Sequence, residues 1–307
     1  MSERIAEETK EKIQKLYKEN VNIADIARQT GVSYSTAYGY TAARKRGFES
    51  RYEYEEHLAK QRQKNPEYRE LSSLLKNKLK ELGVKMIGVN HCIAHLEIGQ
   101  SVGARNPVLL YASGANTQII AFAAGKYRVF GETLDIGVGN FIDKFARYIG
   151  IGFPGGPEIE KKALGGEYIE LPYSIKGMDV SFSGMQTKLQ QLYDKGFKIE
   201  DLSFSLQETA FAMLVEAAER AMAHTGKNEL VLGGGVACNA RLQEMCKIMC
   251  SERNAKYFCP AHEFLVDNAA MIAFTGEIIF NSGIFQDADE IEVKPRERTD
   301  DVEVSWR

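Results

Sequence analysis

The sequence predicts an α/β protein preceded by a small all-helical unit. Three observations predict it. Charge is unevenly spread: residues 1–85 hold 18 Lys and Arg against 13 Asp and Glu, and the remainder holds 21 against 29. The first 83 residues carry apolar positions at helical spacing among many charges. From Val84 onward, three short apolar runs with Gly-containing turns give way to alternating helices and strands. The chain has 307 residues, 44% of them hydrophobic and 26% charged, which supports two folded units and does not fit disorder.

Composition also narrows the setting. No apolar run reaches the roughly 20 residues that a membrane span needs. The opening stretch "MSERIAEETKEKIQKLYKEN" is charged throughout, unlike a signal peptide. These features point to a cytoplasmic protein with no membrane partner. The five cysteines include no Cys-x-x-Cys pair, so buried thiols fit better than a zinc ribbon or a disulfide framework.

The front unit reads as a helix-turn-helix module over residues 1–50. Ile5, Ile13 and Leu16 suit a short amphipathic helix, and Ile23, Ile26 and Ala27 mark the inner face of a second. Thr30-Gly31-Val32 breaks that helix, because Gly31 tolerates the positive φ of a helix end. Ser33 is a good cap for a third helix reaching about Arg44, with Ala37 and Tyr40 inward. That helix would present Tyr34, Ser35, Thr36 and Tyr38, with Arg44, Lys45 and Arg46 behind them for phosphate contacts. A three-helix bundle that docks to protein is the alternative. Residues 51–83 read as a charged helical linker broken near Asn65-Pro66, with Leu71, Leu75 and Leu79 as a sparse stripe and His57 at the surface.

Residues 84–307 form the third segment. "KMIGVN" reads as a strand and "HCIAHLEIG" as a helix. "PVLLYASG", "TQIIAFAAG" and "YRVFGETLD" read as three further strands, and helical spacing resumes at residues 140–149. Residues 201–224 make a long helix, with His224 capping carbonyls at its end. "ELVLGGG" and "KYFCP" read as strands around the helix "CNARLQEMCKIMC", and "DNAAMIAFTGEIIF" closes the unit as a helix. His262 falls in a loop. Three meandering strands followed by alternating helices and strands is the order of one ribonuclease H-like lobe of an actin/sugar-kinase/Hsp70-like fold.

His91 and His95 stand four residues apart, so both imidazoles project from one helix face and can meet one ion. On the residues alone, two polar side chains near a core are the commoner reading of such a pair. The Gly-rich turns "SGAN", "PGGP" and "GGGVACN" allow close backbone approach to a phosphate, and read equally well as tight α/β turns.

The motifs "GVNHCIAHLEIG", "LLYASGANTQII", "YRVFGETLDIGVGNFIDKFARYIG", "PGGPEIE", "DVSFSG", "GGGVACNARL", "FLVDNAAMIA" and "RTDDVEVSW" together resemble the universal tRNA threonylcarbamoyladenosine synthase family. This is the Gcp-like family, and the likeness leans to its KEOPS-complex branch. It runs through residues 84–307 in order. The resemblance implies one divalent metal ion, iron or zinc, held by His91, His95, Tyr111 and Asp267. It implies a site for an adenine nucleotide built from Tyr111, Ala112, Ser113, Gly114, Ala115, Asp143, Gly156, Glu160 and Asn239. It implies transfer of a threonylcarbamoyl group from threonylcarbamoyl-adenylate to the N6 amine of the adenosine beside a tRNA anticodon, with KEOPS-type subunits as partners. The older endopeptidase label of the family is discounted, because Cys92 stands where "HEXXH" would place a catalytic Glu.

The chain also departs from that family. The family's first lobe, with its phosphate loop and docking helices, is replaced by the helix-turn-helix and the charged arm. Ala115 and Ala269 stand at usual glycine positions, and a methyl at Ala115 would crowd a phosphate if the backbone there took φ > 0. Two alternatives therefore stand beside the enzyme: a helix-turn-helix DNA-binding regulator with a nucleotide-sensing domain, and an inactive relic.

Overall fold

The computed structural model describes residues 9, 12, 13, 15, 16, 23–30, 66–288, 290–292, 294 and 297–307. The chain divides into two units, Met1–Val84 and Lys85–Arg307.

In the first unit, helix α1 spans Ile23–Thr30, and the break expected at Gly31-Val32 lies outside the described residues. Ile13 and Ile26 are fully buried, and Lys12 Nζ donates to the Gln29 carbonyl at 3.0 Å. Helix α2 spans Pro66–Glu81, the residues before it lying outside the described ones. Leu74 and Leu75 on it are exposed, so the leucine spacing there does not mark a buried face at Leu75. Ser35, Thr36, Tyr38, Arg44, Lys45, Arg46 and His57 lie outside the described residues.

The second unit is built on a five-stranded sheet whose strands lie in the spatial order 126–132, 117–123, 108–112, 229–233 and 256–258. Strands β1 (Val108–Ala112), β2 (Thr117–Ala123) and β3 (Lys126–Glu132) form an antiparallel meander. The β2–β3 turn uses Ala124 and Gly125, both at positive φ, which suits the right-handed twist of a tight hairpin. Strand β6 (Glu229–Gly233) runs parallel to β1, and β7 (Lys256–Phe258) parallel to β6. Helices follow in chain order: α3 (His91–Glu97), α4 (Val138–Tyr148), α5 (Gly156–Lys162), α6 (Ser183–Asp194), α7 (Ile199–Thr225), α8 (Ala240–Glu252), α9 (His262–Leu265) and α10 (Ala269–Asn281). A two-stranded ribbon, β4 (Ile175–Lys176) with β5 (Asp179–Val180), lies between α5 and α6 in sequence.

Every side chain of β1 is buried, and alternation divides them between two cores. Val108, Leu110 and Ala112 face the larger core, with Phe141, Phe145, Leu206, Phe211 and Leu214 from α4 and α7. Leu109 and Tyr111 face the other, with Ile93 and Leu96 of α3 and with Val302, Val304 and Trp306. Burying a leucine-sized side chain contributes roughly 1.5–3 kcal/mol, so both faces of β1 fasten it between layers.

Three sequence expectations fail here. "KMIGVN" is not a strand: it makes one isolated bridge, Met86 to Gln286, because its backbone pairs with a neighbour only there among the described residues. His224 does not cap α7. The Thr225 hydroxyl and the N–H groups of Gly226 and Lys227 take the last carbonyls, and the His224 ring lies 5.7 Å from that of Phe130. Gly226 adopts φ 66°, the left-handed end that a glycine supplies most cheaply. His262 opens the short α9 rather than sitting in a loop.

Candidate metal centre and nucleotide site

Helix α3 begins at His91 because Asn90 caps it: the Asn90 side-chain oxygen accepts the N–H groups of Cys92 and Ile93 at 3.1 and 3.3 Å. One helical turn then sets His91 above His95, with ring centroids 5.0 Å apart. Asp267 arrives from the turn between α9 and α10. Asn268 fixes that turn by donating to the Val266 carbonyl and accepting the Met271 N–H. The Gly234 N–H, at the end of β6, holds the Leu265 carbonyl at 2.8 Å. A side chain at Gly234 would strike the Ala112 carbonyl oxygen at 2.3 Å, and its φ is 92°. Glycine there lets the ends of β1 and β6 meet beneath the site.

The result is a convergence. Nε2 of His91 lies 3.0 Å from Asp267 Oδ1, and Nε2 of His95 lies 3.2 Å from the same oxygen. Ligand atoms of the three residues all fall within 4.8 Å of one another. The Tyr111 ring is 4.7 Å from that of His95 and 6.5 Å from that of His91. Two ligands held at about 2.0–2.1 Å by one ion, roughly 90–109° apart, stand about 2.9–3.4 Å from each other. The observed separations fit that spacing, and two imidazoles with a carboxylate suit zinc or iron better than magnesium or calcium.

Burial divides the site into a floor and an open side. The His95 side chain is fully buried, whereas those of His91 and Asp267 are 45% and 70% exposed. Burial lowers the His95 pKa, which keeps the ring in its neutral, electron-donating form. Burial pushes Tyr111 up to about 12, with a hydrogen bond to Ser113 pulling the other way. Tyr111 is therefore a phenol at neutral pH unless a cation stands beside it. Burial raises the Asp267 carboxyl too, but hydrogen bonds and charge from His95 and His91 outweigh this and hold it below its ordinary value.

The remaining predicted residues gather at the C-terminal ends of the strands, where open α/β sheets bind ligands. The turn of residues 113–116 leaves β1 and supports the start of α4. Gly139 N–H donates to the Ser113 carbonyl at 3.1 Å and Asn140 N–H to the Gly114 carbonyl at 2.9 Å. Ala115 is exposed and does not lie in the left-handed region, so the crowding expected from its methyl does not arise. Ala269 is the first residue of α10. Asp143 Oδ1 accepts the Gly155 N–H at 2.7 Å. A Cβ on Gly155 would meet that of Ala146 at 2.3 Å, so close packing requires glycine at this position; Gly156 stands in open space.

Glu160 Oε1 accepts the Ala240 N–H at 2.8 Å, at the start of α8. Asn239 caps the same helix through Arg241 and Leu242, and donates to Gln207 Oε1 at 2.6 Å. Asp143, Glu160 and Asn239 are all half-buried and all hold backbone N–H groups of their neighbours. Sequence reasoning missed Asn90, Asn268 and Gly234. The signal for the two asparagines was present: Asn90 directly precedes a predicted helix, and Asn268 lies within the first residues of another, which the structure begins one residue after it.

A sequence profile of the tRNA N6-adenosine threonylcarbamoyltransferase family matches residues 78–274. The protein of that name from Thermococcus kodakarensis is 59% identical over 223 residues, covering 72% of this chain and 69% of the relative. The chain belongs to this family.

Its likeness extends to a second group of family proteins. A probable bifunctional tRNA threonylcarbamoyladenosine biosynthesis protein of Methanocorpusculum labreanum is 53% identical over 228 residues, covering 74% of this chain and 43% of that one. Among solved structures, HypF from T. kodakarensis matches with a TM-score of 0.59 at 13% identity, covering 69% of this chain and 39% of that one. A full-length HypF structure matches at 0.54 over 63% of this chain and 43% of that one. At such identities the likeness concerns the fold alone, which is of the actin/sugar-kinase/Hsp70-like class. The threonylcarbamoyltransferase names support the enzymatic reading and lend none to a DNA-binding one. No described helix is long and apolar enough to cross a membrane.

Proposed function

We propose that this chain transfers a threonylcarbamoyl group from threonylcarbamoyl-adenylate to the N6 amine of the adenosine beside a tRNA anticodon, acting in the cytoplasm with KEOPS-type subunits. The observation that carries the reading is the meeting of two imidazole Nε2 atoms on one Asp267 oxygen beside Tyr111, within an architecture shared with the family. His91, His95, Tyr111 and Asp267 would hold one divalent ion, zinc or iron. Such an ion, when bound, supplies Lewis-acid stabilisation of negative charge on a substrate oxygen.

The chain's own residues do the rest. Ala112, Ser113, Gly114 and Ala115 line the end of β1 where the donor's phosphate would rest. Asp143 shapes the 154–157 turn, and the open space at Gly156 accepts the adenine face. Glu160 and Asn239 meet at the start of α8, where they would take the ribose hydroxyls. The acceptor amine is a weak nucleophile because its lone pair is shared with the ring, so activation falls on the donor. Attack forms a C–N bond, the C–O bond to AMP breaks, and one N6 proton leaves. No side chain forms a covalent intermediate. The three segments 1–50, 51–83 and 84–307 would divide the work: the first would grip tRNA through Arg44, Lys45 and Arg46 with Ser35, Thr36 and Tyr38, the second would link, and the third would react.

The test is incubation of the chain with threonylcarbamoyl-adenylate, unmodified tRNA and Zn²⁺ or Fe²⁺, followed by nucleoside analysis. Modified adenosine is expected from wild type and its loss from His91→Ala. Equal product from both removes the metal reading. Nucleotide-dependent shifting of duplex DNA with no product establishes the regulator instead.

A further inference from the structure

Helix α3 carries both candidate imidazoles and has only seven residues. A helix that short has no stability of its own, so tertiary contacts set where it lies and how it is turned about its axis. Apolar contacts flank it. Ala94 and Ile98 pack with Met271 of α10, and Ile93 and Leu96 pack on the sheet. Such contacts resist separation but tolerate rotation and slippage, because dispersion has little directionality.

One directional contact stands on the opposite side. Glu97, the last residue of α3, projects about 200° around the helix from His95. It is a fully buried carboxylate. Its Oε1 accepts the Tyr127 hydroxyl and lies 3.1 Å from Arg307 Nε; its Oε2 accepts the Gln100 amide. The Arg307 side chain is itself only 14% exposed, and its guanidinium lies over the rings of Phe122 and Tyr127, 5.1 and 5.6 Å from their centroids. Val302, Val304 and Trp306 bring it there by packing on the same core. The charge of Glu97 is thus matched inside the protein, 210 residues away in sequence.

We propose that Glu97 and Arg307 are positioning residues that set the rotation of α3, and so the aim of His91 and His95 at the third ligand, Asp267. A rotation of about 10° moves an atom about 6 Å from the helix axis by about 1 Å. A metal site tolerates roughly 0.2 Å in its bond lengths. Without its cation, Glu97 would be drawn toward water, and α3 has to turn or lift to let it go. The inference rests on reading His91, His95 and Asp267 as ligands.

The experiment loads metal-free wild type, R307M and R307K with Co²⁺ well below the unfolding transition. It records affinity by chelator competition, the visible d–d spectrum, and folding by circular dichroism. R307M is expected to bind Co²⁺ about 10- to 100-fold more weakly, the range for residues that orient a ligand from behind, with a changed spectrum. R307K is expected to recover part of both, because it restores the charge. Where R307M fails to fold, the double variant E97Q/R307M takes its place; it leaves no buried charge to be drawn out, so it is expected to show a smaller loss, several-fold, from the missing ion pair alone. Wild-type affinity and spectrum in a folded R307M, or in the double variant, overturn the proposal while leaving the ligand reading intact. A wild-type protein that takes up no cobalt removes the ligand reading, and this proposal with it.

Discussion

The proposed metal end and the proposed nucleotide end of the site are built on opposite principles. At the metal end, the polar groups lean on one another: two imidazoles share one carboxylate oxygen, the exposed sides of His91 and Asp267 face outward, and Nδ1 of the buried His95 has no hydrogen-bond partner among the described residues. At the nucleotide end, the polar groups are engaged by the scaffold. Asp143 holds the Gly155 N–H, Glu160 holds the Ala240 N–H, and Asn239 caps α8. The first arrangement can be emptied with little effect on the fold. The second has structural duties that any bound nucleotide must share. A residue's distance from the chemistry is therefore a poor guide to what its loss will do.

Substitutions can break this comparison. The largest effect is expected at Asp267. Asp267→Ala removes the oxygen on which both imidazoles converge, so metal affinity should fall by at least about 10²-fold, beyond the roughly 10- to 100-fold cost of losing an outer partner. Its thermal midpoint without metal should fall only modestly, by the cost of about 1–3 kcal/mol of leaving the buried His95 without its partner. A large drop in that midpoint would mean the two ends are built alike after all.

Glu160 should divide the two duties. Glu160→Ala strips the N–H of Ala240 of its acceptor and should cost about 1 kcal/mol in denaturant unfolding. Glu160→Gln keeps an oxygen for that N–H and should cost much less. If Glu160 also meets the ribose, both variants should weaken AMP binding in calorimetry. Unchanged AMP affinity in both would leave Glu160 a purely structural group.

The smallest effect tests the scaffold principle away from ligands. Asp135 accepts the N–H groups of Ile136, Phe182 and Ser183 together with the Ser181 hydroxyl. Burial raises its pKa, but these four hydrogen bonds outweigh it and bring it from 3.8 to about 2. A depressed carboxylate stabilises the fold above its unfolded pKa, and that contribution is lost as pH falls through the folded value. Asp135→Asn should therefore cost roughly 1 kcal/mol at pH 7, after allowance for its exposure. The loss should shrink as pH falls from about 4 to about 2. An unfolding curve whose acid limb is unchanged in the variant would show that the hydrogen bonds carry no net stability.

Much of the α/β unit was legible because its signals are local. The runs that became β1, β2 and β3 are bounded by Gly-containing turns, and the i, i+4 spacing of His91 and His95 survives any packing that keeps α3 helical. "KMIGVN" misled because a strand needs a partner along its length, and the run itself does not show one. His224 misled because Gly226 and Thr225 compete for the same carbonyls, and the glycine end forms with less strain. The glycine-to-alanine change at Ala115 raised a question about φ that only the backbone path could answer.

By itself, the sequence determined most of the elements and which imidazoles share a face, and it carries the asparagines that begin α3, α8 and α10, since each depends on residues within a turn or two. Tertiary structure alone decided that Asp267 reaches the His pair across 176 and 172 residues, and that Arg307, 210 residues away in sequence, neutralises Glu97 within the core they share. Contacts between segments so far apart are chosen by the packing of whole layers and by the cost of closing long loops, neither of which is written in any short stretch of chain.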